Sequence, residues 1–120
     1  MSFRVSKRIV DGITILDLQG RVTLGEATGK MHEAVREALQ DTANVILNLA
    51  EVPYMDSAGL GEMVGAFTTV TGRGGSLKLL QPQRRLHELL RLTRLSTVFE
   101  TYEEEAAAIG SYPAAAHDAR

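Results

Sequence analysis

The chain has 120 residues, 44% of them hydrophobic and 23% charged, the balance of a single soluble globular domain. Thirteen Lys and Arg against fifteen Asp and Glu leave a formal net charge of -2, which argues against a broad basic face for nucleic acid. With no Cys there is no disulfide framework, Cys-based zinc site or thiol nucleophile, and with no Trp and 5% aromatics there is no stacking platform for bases or sugars.

The N-terminal stretch MSFRVSKRIVDG carries Arg4, Lys7, Arg8 and Asp11, which interrupt any signal-peptide core. No apolar run approaches the ~20 residues needed to span a bilayer, so the expectation is a cytoplasmic protein with no direct membrane insertion. Phe3 to Val10 alternates imperfectly between apolar and polar, and Asp11-Gly12 is a favoured two-residue turn. Ile13 to Gly20 follows, with Ile13 and Ile15 on one face and Leu16 and Leu18 on the other, as suits a strand covered on both sides. The two runs predict an antiparallel hairpin with the first strand at an edge.

Glu26 to Gln40 has the helical period: Ala27, Met31, Ala34, Val35, Ala38 and Leu39 share a stripe. Asn44 to Leu49 is a short apolar run of the kind found in buried parallel strands. A loop holding Pro53 leads to Asp56 and Ser57, either of which can cap a helix carrying Leu60, Met63, Val64, Phe67 and Val70. Gly72, Gly74 and Gly75 stop that helix, Leu77 to Leu80 is a strand, and Gln83 to Arg91 is a short amphipathic helix. Val98 to Tyr102 reads as a last strand and Glu103 to Ile109 as a helix with acids at its positive end. Residues 110–120 hold a Pro and few large apolar groups, which predicts a flexible C-terminal tail behind a domain spanning 1–109. The order is an α/β pattern: an opening β-hairpin, then alternating helices and strands, giving a mixed, mostly parallel sheet of about five strands with four helices.

The chemistry concentrates in Met55-Asp56-Ser57-Ala58-Gly59-Leu60-Gly61, where a polar loop leaves the C-terminal end of a buried strand and enters a helix. The side chains of Asp56 and Ser57 can each accept from orphan N–H groups of the first turn. Gly61 and Gly65 lie one turn apart on a face that can approach the sheet or another chain closely. Each glycine costs its helix roughly 1 kcal/mol relative to Ala, a local conflict that marks sites as often as tight packing. Capping and packing alone also account for these residues. The histidines, His32, His87 and His117, have neither metal-ligand spacing nor a place beside Ser57, and position 55 is Met rather than the Gly of a nucleophile elbow. Gly72-Arg73-Gly74-Gly75-Ser76 lacks the lysine of a phosphate-binding loop and precedes a strand, so it reads as a turn. Arg84, Arg85, Arg91 and Arg94 surround a Leu-rich helix as a solvated face or a docking surface for an acidic partner.

At these residues the chain resembles the anti-sigma factor antagonists, single STAS domains. The likeness runs from about Val5 to Ile109 and includes the strand-ending Gly20, the Val45-Ile46-Leu47-Asn48-Leu49 strand, Met55-Asp56-Ser57, the Gly-Leu-Gly that follows, and the Gly-Gly before Leu77. The resemblance implies a STAS-like fold and a protein switch rather than an enzyme, without cofactor or metal. In such proteins the serine of the Asp-Ser pair is phosphorylated by an anti-sigma factor serine kinase. The unphosphorylated form sequesters that kinase and frees a sigma factor, and a serine phosphatase restores it. Carried over, Ser57 is the phosphoacceptor, and the partner surface comprises Thr23, Tyr54, Met55, Asp56, Ala58, Gly59, Leu60, Gly61 and Met63. Family members often carry an acidic residue shortly after the strand-ending glycine, where Thr23 stands here. A monomer or weak dimer is expected. Similar domains also serve as scaffolds or accessory subunits of membrane transport complexes, in which case Ser57 is only a cap. The phosphate is expected to veto docking by adding bulk and charge to an interface without a prepared cationic partner.

Overall fold

The computed structural model describes residues 2–113. It contains β1 (Arg4–Val10), β2 (Ile13–Gln19), α1 (Glu26–Ala38), β3 (Asn44–Glu51), α2 (Ser57–Gly72), β4 (Ser76–Leu80), α3 (Arg84–Leu92), β5 (Thr101–Tyr102) and α4 (Glu105–Gly110), with a 3-10 turn at Leu95–Thr97. The five strands lie in one sheet in sequence order, β1 antiparallel to β2 and each later pair parallel. The hairpin turn is made by Asp11 (φ 53) and Gly12 (φ 78), a pair in the left-handed region whose twist matches that of the flanking strands.

Sequential parallel strands joined by crossovers of one hand place the intervening helices on one face of the sheet. The main core shows this: Leu16 and Leu18 of β2, Val45, Leu47 and Leu49 of β3 and Leu77 and Leu79 of β4 pack with Met31 and Val35 of α1, Met63, Ala66 and Val70 of α2 and Leu86 and Leu90 of α3. The opposite face buries Ile13, Ile15, Ile46 and Leu80 beneath Ala108, Ile109 and Tyr112. Two-sided coverage of β2 and β3 follows from their apolar residues occupying both alternating sets.

One expectation is corrected. The strand expected from Val98 to Tyr102 shrinks to Thr101–Tyr102. Phe99 instead closes the turn, its N–H donating to Leu95 O at 3.0 Å, and stacks edge-on against Phe67 with ring centroids 5.3 Å apart. Residues 110–113, placed in the expected tail, are described with the fold. Tyr112 is buried, its hydroxyl donating to Val45 O at 2.8 Å, and Lys78 Nζ donates to Ser111 Oγ at 2.8 Å while lying 4.5 Å from the Tyr112 ring centroid. The expected tail segment 114–120 lies outside the described residues.

Candidate functional site

The C-terminal ends of β2 and β3 lead into two loops that run side by side. Gly20 N–H donates to Glu51 O (3.0 Å), Val22 N–H to Tyr54 O (3.0 Å) and Asp56 N–H to Val22 O (3.2 Å), so a parallel bridge between Val22 and Met55 prolongs the sheet beyond its strands. This ladder brings Leu24 against Asp56, 32 residues along the chain.

Asp56 is the residue that caps α2. In extended backbone (φ -90, ψ -176) it accepts from Gly59 N–H through Oδ1 at 2.8 Å, and Oδ2 accepts from Leu24 N–H at 3.0 Å. One carboxylate thus satisfies an orphan donor of the helix and staples the β2 loop to the helix start. The Gly59 and then the Leu24 N–H hold its carboxyl below the usual carboxylate range. With the cap supplied by Asp56, Ser57 is left as the first helical residue. It is exposed, and its hydroxyl makes no side-chain hydrogen bond among the described residues.

Gly59 is what lets the first turn sit this low. A Cβ there would overlap Val22 O and would stand 2.8 Å from Met55 Cγ and 2.9 Å from Val22 Cγ1. Gly61 and Gly65 are different: both are exposed, with nothing within 4 Å of a Cβ. Of the two roles open to their face, approach to the sheet does not occur. They instead line a groove between α1 and α2 whose wall includes Val35, Leu39 and Ala66 and whose edge carries the His32–Glu62 pair (2.9 Å).

The expected partner residues divide by burial. Ser57 and Gly61 are exposed, and Thr23, Tyr54, Asp56, Ala58 and Leu60 are half-buried, so these can meet a second chain. Met55, Gly59 and Met63 are buried and support the surface from beneath. Two side chains near it, Leu24 and Arg21, carry no signal in the sequence as site residues, and a third, Arg85, belongs to the basic stretch that reads as a solvated face or a docking surface. Leu24 is 78% exposed directly beside the cap, a large apolar side chain with nothing covering it. The Arg21 and Arg85 guanidiniums lie 4.7 and 5.7 Å from the centroid of the Tyr54 ring. Arg85 and Ser57 both line a cavity of about 390 Å³ between the Val52–Met55 loop and α3, otherwise walled largely by apolar side chains such as Pro53, Leu60, Leu86 and Leu89. The basic stretch on α3 therefore contributes to the same surface as the Asp-Ser pair.

His87 lies 3.5 Å from Glu103, and no histidine among the described residues lines the cavity that holds Ser57. Among the described residues no group of three or more His, Asp or Glu is placed to hold a metal ion, and no helix is long and apolar enough to cross a membrane. The arrangement offers an unengaged hydroxyl at a helix N-terminus, where backbone N–H groups favour an anion, in a cavity that apolar side chains and Arg85 also line.

Known proteins share this architecture and sequence. An Anti-sigma-B factor antagonist of Listeria monocytogenes is 35% identical over 105 residues, covering 83% of this chain and 87% of the relative. An anti-sigma factor antagonist from Mycobacterium paratuberculosis matches with a TM-score of 0.79 at 17% identity, over 92% of this chain and 94% of that one. The anti-sigma factor antagonist SpoIIAA in its unphosphorylated form gives 0.70 at 18% identity, over 91% and 96% of the two chains. Bacillus SpoIIAA in the phosphorylated form gives 0.69 at 19% identity, over 91% and 98%. The structural likenesses speak to the fold, and the family rests on sequence: the profile of the STAS domain matches residues 4–108, so that, with a 35% identical antagonist beside it, this chain belongs to the STAS domain family.

Proposed function

We propose that this chain is an anti-sigma factor antagonist, a cytoplasmic protein-binding module that sequesters an anti-sigma factor serine kinase and is switched off by phosphorylation of Ser57. The observation that carries the reading is the division of labour at the start of α2. Asp56 does the capping, and the Ser57 hydroxyl stands exposed and unengaged. A relative named as an antagonist and a fold shared with a protein solved in phosphorylated and unphosphorylated forms support it.

In the switch, Ser57 Oγ attacks the γ-phosphorus of ATP held by the kinase. An O–P bond forms, the bond to ADP breaks, and the hydroxyl proton leaves to a base of the kinase. A phosphoserine adds about -1.5 to -2 charges and three acceptor oxygens. The host domain tolerates them, because the helix N-terminus favours an anion and the hydroxyl was holding nothing. The docked partner does not. A loss of ~2.8 kcal/mol across the interface weakens binding about a hundredfold. Thr23, Tyr54, Ala58, Leu60 and Gly61, with Leu24 added, form the contact surface over the buried support of Met55, Gly59 and Met63. A serine phosphatase of the host resets the switch.

The test is to incubate the protein with ATP and its cognate anti-sigma factor kinase, then read the mass of the peptide containing Ser57. A phosphate increment that disappears in Ser57→Ala, together with loss of kinase binding in Ser57→Asp at an unchanged circular dichroism spectrum, is the expected result. An active kinase that leaves Ser57 unmodified overturns the switch and favours a constitutive scaffold or transporter-accessory role.

A further inference from the structure

Arg85 extends from the first turn of α3 towards the Tyr54 ring and lines the same cavity as Ser57. It has no carboxylate partner among the described residues, and neither does Arg21, whose guanidinium lies over the same ring. Elsewhere the guanidiniums of Arg8 and Arg36 are paired, with Asp17 and Glu105 and with Glu33. The single acid lining this cavity, Asp56, has its oxygens taken by the Gly59 and Leu24 N–H groups. Two guanidiniums without a carboxylate partner therefore lie over the ring of a tyrosine three residues before Ser57.

We propose that Arg85, seconded by Arg21, is the intramolecular counter-ion for a phosphate on Ser57, leaving the Tyr54 ring to engage it. The inference rests on the reading of Ser57 as the phosphoacceptor and deepens it. A cation held over an aromatic ring at an exposed site is weakly bound, whereas guanidinium to phosphate is a charge-assisted pair able to form two parallel N–H···O bonds. Arg85 and Ser57 line the same cavity, so the pairing calls for a rotamer change of the long, exposed Arg85 side chain and no movement of the backbone. Phosphorylation then does two things to a partner. It introduces an anion, and it drags a guanidinium over the apolar cavity that the unmodified surface presents. The switch covers a docking pocket as well as charging its edge, and part of the phosphate charge is paired on its own chain. This replaces the expectation of an anion left without any prepared cation.

The experiment incorporates phosphoserine at position 57 of the full chain during translation, so it does not depend on any kinase and fails or succeeds separately from the kinase assay. The phosphate is titrated by 31P NMR, and the Tyr54 ring protons are followed by proton NMR. The second phosphate pKa, about 6 for free phosphoserine, is expected to lie ~0.5 lower in the wild-type chain than in Arg85→Gln. Arg21→Gln should recover a smaller part, and Arg73→Gln, in the α1–α2 groove, none of it. The Tyr54 ring resonances should move on phosphorylation in the wild type and stay in place in Arg85→Gln. Arg85 is exposed, so the variant should melt with the wild type. Equal phosphate titrations in wild type and Arg85→Gln, or Tyr54 resonances indifferent to the phosphate, overturn the proposal.

Discussion

Gly59→Ala and Gly61→Ala should shift stability in opposite directions, although they lie two residues apart in one helix. Each substitution gains up to about 1 kcal/mol from the better helix propensity of Ala. At Gly61 nothing else changes, because no atom lies within 4 Å of the added Cβ. At Gly59 the Cβ overlaps the Val22 carbonyl and presses on Met55 Cγ at 2.8 Å. A backbone oxygen cannot rotate away, and Val22 is held by its N–H bond to Tyr54 O and its carbonyl bond to Asp56 N–H. Relief requires the first turn of α2 to lift, which puts the cost towards the upper part of the 1–3 kcal/mol range for overpacking, or ~1–2 kcal/mol net of propensity. Unfolding entropy of about 2.1 cal/mol/K per residue gives roughly 0.25 kcal/mol/K for 120 residues, so 1 kcal/mol moves Tm by about 4 °C. Gly59→Ala should melt ~4–8 °C below the wild type and Gly61→Ala up to ~4 °C above it, by far-UV circular dichroism at one pH and salt. Equal melting of the two variants, or a gain for Gly59→Ala, would refute the close approach of α2 to Val22.

Other consequences are as direct. Leu24→Ala removes a 78% exposed side chain, so its melting should match the wild type while affinity for the kinase, by calorimetry, falls about tenfold or more. Tyr112→Phe removes the hydroxyl that donates to Val45 O at 2.8 Å and lies 3.1 Å from Ser76 O, costing about 1 kcal/mol in a urea titration. Burial also pushes the Tyr112 phenol up, so the folded state resists its ionisation. Wild-type stability should then fall as pH rises above about 10, and the Phe variant should lack that part of the loss. Asp17 is held below the usual range by Arg8 first and also by Asn48, and Asp56 by Gly59 and Leu24 N–H. Their contributions are present above about pH 4 and disappear as pH falls, so urea midpoints should decline in acid, less steeply in Asp17→Asn.

What could be read from the sequence was whatever a local pattern encodes. Ile13 and Ile15 against Leu16 and Leu18 announced a two-faced strand, and Asp11-Gly12 announced its turn, because both signals are contained in a few adjacent residues. The burial of Tyr112 was not legible for the converse reason. Tyr112 is one aromatic among Ala, Pro and Gly, with no period to reveal it, and its partners Val45 and Ser76 are far off in the chain. Phe99 suggested a strand through its neighbours, whereas its burial comes from a turn that delivers it to Phe67. At the site, Asp56 and Ser57 were legible as a pair, but their division into cap and free hydroxyl was not. It depends on Leu24 supplying a second donor to Asp56, a contact made by the Val22–Met55 bridge. Arg21 and Leu24 carry no local signal of their own, because the loop after β2 meets the start of α2 only through a contact 32 residues along the chain, and Arg85 reads in sequence only as one of a basic stretch until α3 places it beside Tyr54.

The same bridge would let the proposed docking surface be both firm and switchable. The loop after β2, the loop after β3 and the start of α2 are joined by four hydrogen bonds, from Val22, Asp56, Leu24 and Gly59 N–H, and none of them involves the Ser57 side chain. Had Ser57 been the cap, modifying its hydroxyl would have removed a helix-start bond and loosened the turn that presents it. With Asp56 as the cap, the hydroxyl can be esterified while the frame around it keeps every bond. The remaining degree of freedom at the surface lies in Arg21 and Arg85, which rest on an aromatic ring and not on carboxylates. A rigid frame, one unengaged hydroxyl and two weakly held cations are a set of parts in which a covalent anion changes what a partner meets without changing how the domain is folded.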